Sequence, residues 1–213
     1  MNIKKSLKAK LLLIISLLVT IPLTISLIIT GLSISTEGLE SAEDMNEAQS
    51  TIIRQSIQTV IEQNVKALHS FATSPYIRDY IMGERDESSQ ARLLEQLKDI
   101  NSSLDNGAGN SIAVSGPDGM QIIRTSGKCV DVSARDYFKE AMAGNTFVSD
   151  IIVSASSGTR IAVFSVPVYD EDGKTTIGIV QRNYDLGDFH NIIAAEVTED
   201  RQEIVIVDRM GDV

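Results

Sequence analysis

The chain has 213 residues, with 29 acidic against 19 basic side chains and a net charge of −10. A surface of that sign repels nucleic acid and anionic lipid headgroups, which are held by basic patches, so neither is expected as a partner. Cys129 is the single cysteine, which rules out an intrachain disulfide and leaves a core to hold the fold; the cysteine itself is expected to be a small buried residue.

From Leu11 through Thr36 no side chain carries a charge, and 14 of the first 19 of these positions are Leu, Ile or Val. About 20 such residues suffice to cross the hydrocarbon, each contributing roughly 0.3–0.6 kcal/mol to insertion. Residues 11–34 are therefore predicted to form a transmembrane helix after a cytoplasmic tail at 1–10. A cleaved signal peptide is the alternative. Its apolar core would run about 7–15 residues before a small-x-small site, and Ser33-Ile34-Ser35 is a poor one. Pro22 lies mid-span, where membrane helices tolerate a kink. Lys4, Lys5, Lys8 and Lys10 precede the span, while Glu37, Glu40, Glu43, Asp44 and Glu47 follow it. Positive residues stay inside, so the N-terminus is expected in the cytoplasm and residues 35–213 outside a cell membrane. That exterior part carries 29 acids and 15 bases, a net charge of about −14.

Apolar residues then recur at Ile53, Ile57, Val60, Ile61, Val65, Leu68 and Phe71, which is one helical face. A stalk helix is predicted over 35–74, of which roughly 35 residues free of glycine and proline rise some 50 Å at about 1.5 Å per residue, with this stripe serving as core and as the seam of a homodimer. Pro75 interrupts it, and Ile77, Tyr80 and Ile81 form a short helical turn before Gly83. Ser88-Ser89 is a candidate cap for a helix carrying Leu93, Leu94, Leu97 and Ile100, and the loop Asn106–Asn110 closes the helical half. Strand-like runs at 111–115 and 120–125 flank the turn Gly116-Pro117-Asp118-Gly119. A short helix is expected from Ser133, as its cap, to Gly144, followed by strands at 147–154, 160–168 and 176–184. Leu186–Val197 returns to helix and 203–207 is one more strand; since Val213 stops where a partner strand should begin, an N-terminal fragment is expected. The fold class is α+β: membrane helix, stalk helix, then an antiparallel sheet of about five strands with flanking helices.

This order resembles the double Cache sensor domain, PAS-like in fold, of bacterial chemoreceptors and sensor kinases. The residues that carry the resemblance are Ser115-Gly116-Pro117-Asp118-Gly119, Val132-Ser133-Ala134-Arg135-Asp136-Tyr137-Phe138, Val148-Ser149-Asp150, Ile161 to Val168 and Gly178-Ile179-Val180. The resemblance implies a membrane-distal PAS-like subdomain at 75–203 that holds the ligand, and the start of a truncated membrane-proximal subdomain at 204–213. It further implies that Arg135, with the aromatic pair Tyr137 and Phe138, binds a ligand carboxylate. Two positions depart from the family's amino-acid-binding pattern. Val130 stands where a tyrosine is expected, and Asn183 replaces the aspartate that would hold an ammonium, weakening that contact by about 1 kcal/mol or more. A carboxylate or another small polar metabolite is the ligand class that follows.

The residues support this independently. A guanidinium offers a planar fork to a carboxylate, and adjacent aromatics shield the pair from water. Arg135 reads equally as a solvated residue at a helix start, with both aromatics in the core. Period-two alternation puts Gln181 and Asn183 on one strand face, Arg182 and Tyr184 on the other. Asp150 is a candidate for the pocket rim, or a plain turn carboxylate. His69 and His190 lack any second ligand at metal spacing, no nucleophile or phosphate-loop motif occurs, and no cofactor is implied, so no catalytic or metal role is expected. The reading is the extracytoplasmic ligand-sensing region of a membrane-spanning chemoreceptor, with no enzymatic activity. A histidine kinase or diguanylate cyclase sensor is an alternative output, and a membrane-anchored adhesion module is the alternative of another class.

Overall fold

The computed structural model describes residues 7–83, 85–104 and 110–196; the strand expected at 203–207, the subdomain start at 204–213 and the loop at 106–109 lie outside the described residues. The chain divides into two compact units, residues 1–52 and 53–213. Helix α1 (Leu7–Ala72) is unbroken over 66 residues with Pro22 inside it, so the expected boundary near residue 35 is not a break in the backbone. No proline follows Pro22 until Pro75, and nothing else in between forces a stop.

In the first unit, Lys10–Ser33 is a 24-residue stretch of mean hydropathy 2.7, long and apolar enough to cross a membrane. Its leucines and isoleucines point outward, as hydrocarbon-facing side chains do. The hydroxyls of Thr20 and Thr24 donate to the carbonyls of Ser16 and Thr20, at 2.9 and 3.0 Å. That back-bonding satisfies polar groups that lipid cannot solvate.

The second unit is built on an antiparallel sheet: β1 (Ser111–Ser115), β2 (Gln121–Arg124), β3 (Phe147–Val148), β4 (Ile152–Val153), β5 (Arg160–Tyr169) and β6 (Thr176–Asp185). The order is β2-β1-β6-β5-β3, with β4 also paired to β5, giving six strands where about five were expected. The extra one arises because the run at 147–154 is two short pieces, with Phe147 opposite Ser165 and Ile152 opposite Ile161. Between them Ser149 still donates its N–H to Val163 O at 2.9 Å, but its hydroxyl, in place of a backbone carbonyl, accepts the Val163 N–H at 2.9 Å.

Strands β5 and β6 each contain eight successive buried residues, so both faces of the sheet are covered. One face carries Ile112, Val114, Phe164, Val166, Val180 and Tyr184 against the helices. Leu68 and Phe71 reach it from α1, Ile77 and Ile81 from α2 (Pro75–Met82), Leu93 and Leu97 from α3 (Glu87–Leu104), and Phe189 from α5 (Leu186–Glu196). The stripe predicted on α1 is this contact: Ile57, Val60, Ile61 and Val65 pack against the same cluster. On the opposite face, Ile161, Val163 and Ile179 meet Val132 and the residues Tyr137, Phe138 and Ala141 of α4 (Asp136–Met142).

Helix α3 starts at Glu87, ahead of the expected Ser88-Ser89 cap, because Asp86 does the capping: its carboxylate accepts the Ser89 N–H at 2.6 Å. Arg182 is fully buried on the helix-covered face, where its guanidinium donates to Asn64 of α1 and, at 3.1 Å, to Asn101 of α3, with its charge 5.5 Å from the centre of the Tyr184 ring. Asn64→Ala removes an acceptor from this buried charge and is expected to destabilise the domain by about 2–3 kcal/mol, read by chemical denaturation.

Backbone hydrogen bonds hold the carboxyls of Asp86 and Asp172 below the ordinary aspartate value of 3.8, the bonds coming chiefly from Ser89 and Thr175. Groups depressed on folding stabilise the folded chain above the unfolded value, and that contribution disappears as pH falls through the folded one. The melting temperature is therefore expected to fall on acidification below about pH 4, and the double variant Asp86→Asn, Asp172→Asn to fall less steeply.

Candidate functional site

The site begins with a row of partners across the sheet. Arg124 on β2 lies opposite Ala113 on β1, Ala113 opposite Gln181 on β6, Gln181 opposite Ser165 on β5, and Ser165 opposite Phe147 on β3. Antiparallel partners share a face, so Arg124 and Gln181 rise on either side of the small Ala113. Asn183, two residues along β6, joins them.

A bulge brings in a further residue. The β1–β2 register shifts so that Val114 faces Ile123 while Ser115 faces Gln121, leaving Ile122 as the extra residue. Plain alternation from Arg124 would put Gln121 on the helix-covered face; the bulge puts it beside Arg124, while Ile122 and Ile123 both pack with the main core. The Gln121 side-chain carbonyl accepts from Arg124 Nη1 and from the Val130 N–H, each at 3.2 Å.

The opposite wall comes from α4 and the segment before it. Asp131 accepts the Ser133 N–H at 2.8 Å, which keeps 131–133 in a turn, and Val132 N–H donates to Gly119 O at 2.9 Å. The helix therefore starts at Asp136, with extended Arg135 (φ −80°, ψ 140°) as its cap, and not at Ser133 as expected. Leaving the helix at this residue aims Arg135 toward the turn after β4, where Nη2 lies 3.4 Å from Val153 O. Tyr137 is held from below: Ser165 Oγ donates to its carbonyl at 3.0 Å, and Gln181 Nε2 lies 3.5 Å from its hydroxyl. Burial raises the Tyr137 pKa, so the phenol stays protonated at neutral pH.

These groups surround one recess, walled by Arg124, Arg135, Tyr137, Gln181, Asn183 and the 153–156 strap. It measures about 220 Å3 with its mouth included, most of it too narrow for a water molecule, so a larger ligand enters only if a wall moves.

Four of the six residues singled out from the sequence meet here: Arg135, Tyr137, Gln181 and Asn183. Phe138 does not, because the next position on α4 turns its ring into the core, where it is 6 % exposed. Asp150 is exposed and lines an adjoining, roomier hollow with Asp136 and Ser149, which shares Arg135, Tyr137 and Ile152 with the recess. Alternation on β6 is as read, with Arg182 and Tyr184 facing the helices. Cys129 is exposed on the loop after β2, contrary to the buried position expected. His69 is exposed and bonded to Thr146 at 2.7 Å, and His190 is exposed. Gln121 and Arg124 were not foreseen.

The family profile of the Cache domain matches residues 33–213. The chain belongs to the Cache family. Solved Cache-like sensor domains share its fold at low identity. The sensor domain of the V. cholerae histidine kinase DctB superposes with a TM-score of 0.62 at 15 % identity, covering 74 % of this chain and 59 % of that one. The ligand-binding domain of the Campylobacter jejuni chemoreceptor Tlp3, solved with L-valine, gives 0.53 at 16 %, covering 68 % and 60 %. That of the Pseudomonas aeruginosa amino acid chemoreceptor PctC, solved with GABA, gives 0.51 at 19 %, covering 68 % and 64 %. The chain thus spans less than two thirds of each of these domains. No curated protein sequence matches it. An N-terminal apolar helix followed by a Cache sensor domain fits a single-span membrane protein.

Gly119 sets the wall of the cleft: its φ is +84°, and a Cβ there would lie 2.5 Å from Ser133 Cβ and 2.6 Å from Ser133 Cα. Gly119→Ala is expected to cost about 2 kcal/mol or more through backbone strain and displacement of 131–135, measured as a lower melting temperature.

Proposed function

We propose that this Cache domain is the extracytoplasmic ligand-sensing region of a transmembrane receptor, that its ligand is a small polar metabolite bearing a carboxylate, and that the cleft over β1 and β6 receives it. The observation that carries this reading is the convergence of Arg135, Tyr137, Gln181 and Asn183 on one recess, from a helix cap, a helix and a strand far apart in sequence. A guanidinium fork beside a phenol and two amides suits a carboxylate; it provides no nucleophile paired with a base, so binding without catalysis is the activity assigned. The N-terminus is assigned to the cytoplasm on the four lysines that precede the apolar stretch.

The output is assigned to a chemoreceptor, the class of two of the similar sensor domains. A histidine kinase is the second reading, and the DctB sensor domain, with a TM-score of 0.62, favours it. In either case a ligand shifts the receptor only by the difference in its affinity for two packings. We assign that difference to the strap at 153–156, which Arg135 holds closed through Val153 O. A homodimer is the assembly proposed, with the α1 stripe contributing to its seam.

A thermal-shift screen of the chain against amino acids, organic acids, amines and purines tests the assignment. A ligand present at 100 times its dissociation constant adds about 2.7 kcal/mol, a rise of roughly 5–11 °C for a domain of this size. Arg135→Ala is expected to abolish that rise while leaving the unliganded melting temperature within about 2 °C, and an undiminished rise in the variant would remove the cleft from consideration.

A further inference from the structure

The cleft reverses the sign of the chain. Its lining contains two arginines and no aspartate, glutamate, lysine or histidine, in a protein whose net charge is −10. Among the described residues neither Arg124 nor Arg135 forms a salt bridge. Arg124 donates only to neutral acceptors, Ser126 O, Gln121 Oε1 and Ser111 Oγ at 2.7 Å, which leaves about two of its five N–H groups unused. Burial pulls its pKa below the ordinary arginine value, as for a cation partly removed from water.

Beside it, Gln121 is 3 % exposed and its Nε2 has no hydrogen-bond partner. Its carbonyl oxygen is taken by Arg124 and Val130, which leaves the buried Nε2 as an unused donor in a residue that lines the recess. The bulge at Ile122 is what places this donor next to the guanidinium, and re-aiming one side chain into a site is a recurrent use of such a defect. Arg124, Arg135 and Tyr137 all line the same recess.

We propose that the cleft, once its wall moves to admit it, takes a small organic dianion, with one acidic group on Arg135 and the second on Arg124 and Gln121 Nε2. This rests on the cleft being the ligand site. An α-amino acid would satisfy one arginine and bring its ammonium to a wall with no carboxylate, whereas a diacid neutralises both. Gln181 Oε1, buried at 1 % exposure and without a partner, then accepts from a hydroxyl of the diacid or from a bridging water.

The test is calorimetric titration of the whole chain in lipid nanodiscs with malonate, succinate, L-malate and glutarate, and with propionate, butyrate, alanine and inorganic phosphate as comparators. At least one diacid is expected to bind more tightly than every comparator. Arg124→Gln should weaken it about 10- to 100-fold, to the level of the matching monoacid, with Arg124→Lys falling between and Arg135→Ala abolishing binding. If Arg124→Gln fails to melt cooperatively, Arg124→Lys decides, since a diacid affinity unchanged in it overturns the proposal. A diacid or amino acid that binds equally well to wild type and Arg124→Gln but not to Arg135→Ala overturns the dianion while leaving the ligand site in place. Phosphate outcompeting every diacid overturns the two-group geometry, and the absence of heat from all four diacids overturns the proposal outright.

Discussion

Everything in the second unit depends on a sheet with no exposed face. Eight consecutive residues of β5 and eight of β6 are buried, so each side chain on these strands is committed to one of two interiors. The interior under the helices is apolar except where Arg182 enters it between Asn64 and Asn101; the interior under α4 is apolar only in part. In that second interior Gln181 and Asn183 occur where hydrophobic residues would otherwise sit, and a buried amide has to be satisfied or held for a partner. The recess exists because those positions are polar while α4 and the 153–156 strap close over them.

Alternation on β6 also joins the two interiors through one strand. Gln181 and Asn183 border the cleft, and the residue between them, Arg182, is bonded to α1 and α3. A small translation of β6 on one side is necessarily a translation of a buried guanidinium on the other. Packed interiors deform in steps, so under the proposed function this strand would link the cleft to the helix packing.

Much of this was legible in the sequence, and the exceptions have physical reasons. The helical stripe from Ile53 to Phe71, the strand runs and the faces of Gln181 to Tyr184 follow from spacing alone, which period and pattern encode directly. The fate of Phe138 did not follow, because on a helix of seven residues adjacent side chains diverge by about 100° and only packing decides which one meets the cleft. The cap of α4 shifted from Ser133 to Arg135 because residues 131–133 are held in a turn ahead of the helix, by Asp131 on the Ser133 N–H and by the Val132 N–H on Gly119 O. Nothing in the immediate sequence neighbours of Arg124 showed that a partner row across Ala113 would face it toward Gln181.

The extra residue in β2 has a bearing on how this chain is aligned with its relatives. Gln121 and Arg124 are three positions apart, a spacing that belongs to helices, yet they stand side by side on a strand because Ile122 is left out of the ladder. A homologous strand without that residue would present the same pair two positions apart. Matching such chains by residue count would then set the donor of one against a core isoleucine of the other, and a shared binding feature would be scored as a substitution.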